Sequence, residues 1–179
     1  MKKIVLVLFL LSAVLLRPGQ MQQFGLIYAG VGGDDFCYLS HSTAIVFGEW
    51  PSYRKESICR GELPMASIGP GLIAVPLVGL FSLIDRAQGA SIVEERRADN
   101  VVHSASAWGF ILTTLAIFGI TLQLFRIWLG YAGVSKRAAA WSIIFLVLAQ
   151  GIPLFAYRRP IFSHVYELFA CMALLVFLE

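Results

Sequence analysis

Residues 105–125 read ASAWGFILTTLAIFGITLQLF and contain no charged side chain. As an α-helix this stretch is long enough to cross the hydrocarbon core of a bilayer, which needs about 20 apolar residues. Two further apolar stretches cover residues 138–156 and residues 165–179. These stretches predict three transmembrane helices.

The composition of the whole chain supports the same fold class. Of the 179 residues, 58% are hydrophobic and 14% are charged, with a mean hydropathy of +0.76. Soluble domains have about 45–50% apolar and about 25% charged residues. We therefore expect an all-α fold, a polytopic transmembrane helix bundle in a lipid bilayer. The net charge of +3 is scattered and forms no basic stripe, so we expect no nucleic-acid partner.

The first apolar stretch predicts a signal anchor. Residues 4–16 follow Lys2 and Lys3, a pattern that also describes a cleavable signal peptide, but no small-x-small cleavage site closes it. Either interpretation makes residues 17–67 an exported loop. Within that loop, residues 36–47 have helical spacing and predict a short interfacial helix that begins just after Asp34 and Asp35.

The second apolar stretch leaves the topology open. Residues 68–84 are just long enough to span, but their glycines and prolines also fit a re-entrant helix. If they span, Arg158 and Arg159 lie on the cytoplasmic side. If they do not, both arginines share the exported side with Asp34 and Asp35. The count of loop Lys and Arg residues leans mildly to the first topology.

Two groups of residues could carry chemistry. Asp34 and Asp35 are adjacent carboxylates that repel each other, so one of them could act as a base or the pair could bind a cation. The alternative is a helix cap with a solvated neighbour.

The second group lies near the start of the last apolar stretch. Arg158 and Arg159 could bind a phosphate through bidentate hydrogen bonds, or could anchor lipid headgroups. His164 and Glu167, at i and i+3, share one helix face. The spacing does not match a zinc-binding helix, so we expect no metal site there.

The three cysteines form no metal-binding or redox motif. Cys37 and Cys59 lie in the same predicted loop, and they could pair if that loop faces an oxidising compartment. The alternative is two half-buried thiols.

Residues 34–41, DDFCYLSH, together with Phe47-Gly48, resemble the N-terminal part of GT-C fold glycosyltransferases, in which an acidic pair begins an amphipathic helix after a signal-anchor helix. Residues 67–72 with Val75-Pro76-Leu77 resemble the Pro-containing helix that follows in the same loop of those enzymes. The resemblance implies transfer of a sugar from a polyprenyl-phosphate donor to a glycan, lipid or protein acceptor on the exported face. It also implies a bacterial inner (plasma) membrane location in the cell envelope.

The resemblance assigns a role to each candidate residue. Asp35 or Asp34 would be the catalytic base, and Asp35 is preferred because Asp34 is better placed to cap the helix. The expected substrate-binding residues are Arg158, Arg159, His164, Glu167, Tyr38 and His41. The implied topology is the second one, with residues 68–84 on the exported side. No cofactor is implied, and a divalent cation is left open.

Members of that family have many more membrane helices, so we expect residues 1–179 to be one membrane domain from a longer chain. Two functions from other classes compete with the enzyme. One is a transport-type polytopic protein in which Glu167 and the arginines line a solute path. The other is a non-catalytic membrane subunit.

Overall fold

A computed structural model describes residues 34–48, 67–89, 104–149 and 163–179, and in addition Lys3, Leu6, Val7, Phe9–Leu11, Gly151, Ala156 and Ile161. The side chains of residues 34–36 and 149 are outside the described set. Within the described residues the fold is all-helical, which confirms the predicted fold class at that level. The elements are α1 (Asp34–Val46), α2 (Gly69–Ala87), α3 (Ala105–Tyr131), α4 (Lys136–Ala149) and α5 (His164–Phe177).

Two of these helices are long and apolar enough to cross a membrane, namely α2 and α3. α3 continues through Arg126, whose Nε donates to Gln123 Oε1 within the same helix at 3.1 Å. It therefore ends six residues beyond the predicted 105–125 stretch. α2 continues through Pro76 without a break, with Pro70 in its first turn, where a missing N–H costs nothing. α4 and α5 are 14 residues each and begin within two residues of the predicted apolar stretches. α5 ends two residues before the predicted end at 179, and α4 is described as far as Ala149, seven residues before the predicted end at 156.

α3 is the centre of the arrangement. It packs against α1, α2, α4 and α5, and the ring of Phe9 lies 6.0 Å from that of Phe118, so the first apolar segment also reaches it. The core is made of its buried apolar side chains, with Phe110, Phe118 and Leu122 fully buried. The core is thus a layer of side chains around one long helix.

Hydroxyl groups inside this core are satisfied locally. Thr113 and Thr121 donate to the carbonyls four residues earlier, at 2.9 and 2.8 Å. Thr114 makes the same kind of bond to Phe110 O and also lies 2.8 Å from the hydroxyl of Tyr166 on α5. These bonds allow polar side chains to be buried at a helix interface without an unpaired group.

The outer faces of the helices are apolar. Large hydrophobic side chains are at least half exposed on α2, α4 and α5, including Leu80, Leu83, Trp141, Phe145, Leu148, Leu174 and Phe177. Apolar faces of this size are normally covered by lipid or by another helix. This surface is the one expected of a chain in contact with a membrane.

α2 and α3 come closest at Gly109. A Cβ on this residue would lie 2.6 Å from the carbonyl oxygen of Leu77 and 3.0 Å from the Cα of Val78. Both are backbone atoms, which cannot rotate away. The absence of a side chain at Gly109 therefore sets the spacing of the two helices.

We predict that Gly109→Ala lowers the free energy of unfolding by about 1–3 kcal/mol, because the added methyl group forces the two backbones apart. Gly130→Ala, in the same helix, is the matched control, since nothing lies within 4 Å of its Cβ position. That change should leave stability unchanged or raise it by up to about 1 kcal/mol. Denaturant titration in detergent micelles measures both. Equal effects would show that Gly109 is not a packing constraint.

Candidate functional site

The acidic pair opens α1. The helix begins at Asp34, two residues earlier than expected, so both aspartates lie in its first turn and Asp34 does not precede a helix that starts near Phe36. The amide dipoles at a helix N-terminus favour negative charge there. The carboxylate positions lie outside the described side chains, so both catalytic assignments stay predictions.

α1 lies directly against α2. A Cβ on Gly71 would be 2.5 Å from the Cβ of His41 and 3.0 Å from the carbonyl oxygen of Tyr38. Tyr38 and His41 are buried in this interface, with relative exposures of 7% and 0%. The glycine thus brings the backbone of α2 onto the face of α1 that carries these two residues. Their substrate-binding roles stay predictions.

Two hydroxyl side chains of α1, those of Ser42 and Thr43, bond to their own helix. Ser42 Oγ donates to Leu39 O at 2.9 Å, and Thr43 Oγ1 donates to the same carbonyl at 3.1 Å. Such bonds satisfy the hydroxyls without a partner from another helix. They explain how a polar segment packs on the apolar α2.

A carboxylate that sequence reasoning did not single out holds the start of α3. Asp85, 4% exposed at the end of α2, accepts hydrogen bonds from the backbone N–H groups of Ala105 and Ser106 at 2.7 and 2.8 Å, and a third from Ser106 Oγ. Ser104 accepts from Ala107 N at 3.1 Å. The first amides of a helix have no partner within it, so Asp85 and Ser104 satisfy donors that would otherwise be exposed or unpaired.

Arg86, the residue after Asp85, binds the C-terminal end of α1. Arg86 Nη2 donates to Val46 O, at the end of α1, at 2.7 Å, and its guanidinium carbon lies 4.8 Å from the centroid of the Phe47 ring. A cation is favourable at the negative end of a helix dipole, and over an aromatic ring. In the sequence, Asp85 and Arg86 are visible only as an acidic and a basic residue at the end of an apolar helix. The groups that they bind on α3 and α1 are too distant in the chain to be predicted from spacing.

The predicted cluster at the start of α5 is partly described. His164 Nδ1 lies 3.3 Å from Glu167 Oε2, as the i and i+3 spacing predicted. Ser163, which the sequence reasoning missed, donates to Glu167 Oε1 at 2.5 Å. Both contacts favour the ionised carboxylate. Arg158 and Arg159 lie outside the described residues.

The start of α5 lies near the first part of α3. Tyr166 contacts Thr114 and packs edge-on against Phe110, with ring centroids 5.9 Å apart. These residues are in the same half of α3 as the end that Asp85 caps. Asp85 and Arg86 on α2 and the Ser163–His164–Glu167 cluster at the start of α5 therefore both lie near the N-terminal half of α3.

Among the described residues, one cysteine is disulfide-bonded and one has a free thiol. Cys37 is disulfide-bonded, and Cys171 is a free and exposed thiol on α5. Cys59, the partner that the sequence suggested, lies outside the described residues. In the described part of the chain, no three His, Cys, Asp or Glu side chains come together to hold a metal ion.

Comparison of the chain with protein-family models, with curated proteins and with solved structures finds no match. The residues and their contacts are therefore the basis for assigning a function.

We predict that Asp85→Asn lowers the free energy of unfolding by about 2 kcal/mol, because an amide keeps the shape but loses the charge and turns a donor toward one of the amides of α3. Denaturant titration in detergent measures the change. Glu167→Gln is the control, a hydrogen-bonded carboxylate whose side chain is 62% exposed. We expect an effect of about 0.5 kcal/mol or less for this control. An equal loss in both variants would contradict the capping role of Asp85.

Proposed function

We propose that this chain is a membrane glycosyltransferase of the GT-C type, or the N-terminal portion of one, that transfers a sugar from a polyprenyl-phosphate donor to an acceptor on the exported face. The observation that carries the proposal is the position of the acidic pair. Asp34 and Asp35 begin a helix that is packed on an apolar helix through Gly71 and tied to it by Arg86. The sequence resemblance implies an acidic pair at the start of such a helix, followed by a Pro-containing helix in the same loop.

The disulfide supports an exported location for this helix. Cys37 lies within one turn of Asp35 and is disulfide-bonded. Structural disulfides form and persist in oxidising compartments and are rare in the cytosol. The disulfide thus favours a position of the N-terminal part of α1 outside the cytoplasm.

The direction of α1 relative to α2 supports the topology in which α2 stays on the exported side. His41 meets Gly71 near the start of α2, whereas Val46 lies near Gly79 and Arg86, so the two helices run parallel. If α2 crossed the membrane, the end of α1 would be carried into the bilayer with it. Residues 49–67 would then have to return to the exported side.

The return of residues 49–67 across the membrane is unfavourable because this segment is highly charged. Residues 49–67 include six charged side chains, which cross hydrocarbon only at a high cost: Glu49, Arg54, Lys55, Glu56, Arg60 and Glu62.

 A segment that carried these charges across the hydrocarbon core would leave the charged side chains without water or a partner. Placing α1 and α2 together on the exported side avoids this crossing.

The chemistry follows from a carboxylate beside the membrane surface. In the proposed step, the carboxylate of Asp35 or Asp34 accepts the proton of an acceptor hydroxyl as the hydroxyl oxygen bonds to the anomeric carbon of the donor sugar. The bond from that carbon to the phosphate oxygen breaks, and the polyprenyl phosphate leaves with the electron pair. The dipole of α1 favours the ionised form of the carboxylate, which is the form that accepts a proton.

We expect Asp35→Asn or Asp34→Asn to lower the transfer rate by about 10²–10⁴, the usual contribution of a general base. Transfer is measured in membranes that contain the full chain, with synthetic polyprenyl-phosphate hexoses and pentoses as donors. Asp99→Asn is the matched control, because it removes the same charge elsewhere in the chain. Unchanged transfer in both acidic-pair variants, with unchanged membrane insertion, would remove the catalytic role.

The topology has a separate test. In a Cys171→Ser background we expect Gln88→Cys, at the end of α2, to react with a membrane-impermeant maleimide in intact cells. Ala132→Cys, at the end of α3, should react only after permeabilisation, since α3 separates the two positions. Both residues are exposed, so access is not limited by packing. The opposite labelling pattern would show that α2 crosses the membrane.

A further inference from the structure

An open groove lies between α3 and α4, away from the acidic pair. Its volume is about 440 Å³, and it is lined by Phe125, Trp141, Ser142, Phe145 and Leu146. Trp141 and Phe145 are 62% and 61% exposed. The lining is therefore mostly aromatic and apolar, with open access from one side.

Basic residues lie at one end of this groove. Arg137 is one helical turn before Trp141, so the two share a face of α4, and Lys136 precedes it. Lys136 and Arg137 are exposed.

The charge around the groove is of one sign. No Asp or Glu occurs in the sequence between Asp99 and Glu167, so no acidic side chain of α3 or α4 can neutralise these cations. This differs from the other end of α3, where Asp85 lies beside Arg86. The groove end is complementary to a ligand with a negatively charged group.

The order of residues along α4 indicates the shape of that ligand. The exposed side chains of Arg137, Trp141, Phe145 and Leu148 follow one another at helical spacing. The face thus runs from a cation through two aromatic rings to an aliphatic side chain. An amphipathic molecule with an anionic head and an apolar tail matches this sequence of groups.

We propose that this groove binds an anionic phospholipid, with its phosphate at Lys136 and Arg137 and an acyl chain along Trp141, Phe145 and Leu148. Basic residues next to a membrane helix attract anionic headgroups, and a guanidinium can hold a phosphate through two hydrogen bonds. The aromatic rings suit the boundary between headgroups and acyl chains. The site is separate from the proposed sugar transfer and does not depend on it.

The test is lipid selectivity of the full chain. The protein is reconstituted in nanodiscs of phosphatidylcholine and phosphatidylglycerol in equal parts, and lipids retained after extraction are counted by native mass spectrometry. We expect enrichment of phosphatidylglycerol in the wild type. Lys136→Gln/Arg137→Gln should reduce that enrichment about thirtyfold, the effect expected for two basic residues near an anionic surface.

Two control variants separate the groove from general charge and from misfolding. Arg96→Gln/Arg97→Gln removes the same charge from a pair that follows Glu94 and Glu95 in the sequence, and it should retain the enrichment. Lys136→Arg/Arg137→Lys keeps both charges and should also retain it. Equal loss in the two charge-removing variants would overturn the proposal.

Brominated phosphatidylglycerol tests the position of the lipid. It should quench tryptophan fluorescence more than brominated phosphatidylcholine, and Trp141→Phe should remove the difference. Equal quenching by the two lipids would overturn the proposal. So would efficient cross-linking of Trp141→Cys between two chains, because a second copy would then occupy the groove.

Discussion

The fold depends on how the N-terminus of α3 is satisfied. This helix contacts all the other described helices, and its first amides are bonded by the buried carboxylate of Asp85. Without that carboxylate, the amides would be left unpaired beside apolar side chains, at a cost of about 1–3 kcal/mol for each group. Arg86 acts on the opposite dipole end, at the last carbonyl of α1. Two adjacent charges on α2 therefore join the ends of three helices.

Sequence reasoning could predict the helices because their apolar stretches are continuous. It was less accurate where a helix passes a residue that usually ends an apolar segment. α3 continues past Arg126 because that side chain bonds to Gln123 one turn earlier. α2 continues through Pro76, which costs one backbone hydrogen bond, because the packing along its length with α1 and α3 outweighs that loss. Local composition alone does not contain these compensations.

The same distinction holds for the candidate site. The contact between His164 and Glu167 could be predicted, because it depends only on spacing within one helix. The roles of Asp85 and Arg86 could not, because their partners are 20 and 40 residues away in the chain. The burial of His41 was equally hidden, since it depends on the glycine that lets α2 approach. A substrate could reach Tyr38 or His41 only if α1 and α2 separate, which places more weight on the acidic pair.

These contacts also change how the charges of the chain should be counted. A loop count of Lys and Arg residues treats Arg86 as a free charge near the membrane, and it then favours the topology in which α2 spans. In the structure Arg86 is bonded to Val46 O, and Asp85 beside it to the amides of α3, so both are used within the fold. Lys136 and Arg137 have no acidic neighbour in the sequence of α3 or α4. A cation that is already bonded to a helix end carries little information about orientation. Leaving Arg86 out of the count weakens the preference for the topology in which α2 spans, and so favours the topology that we propose.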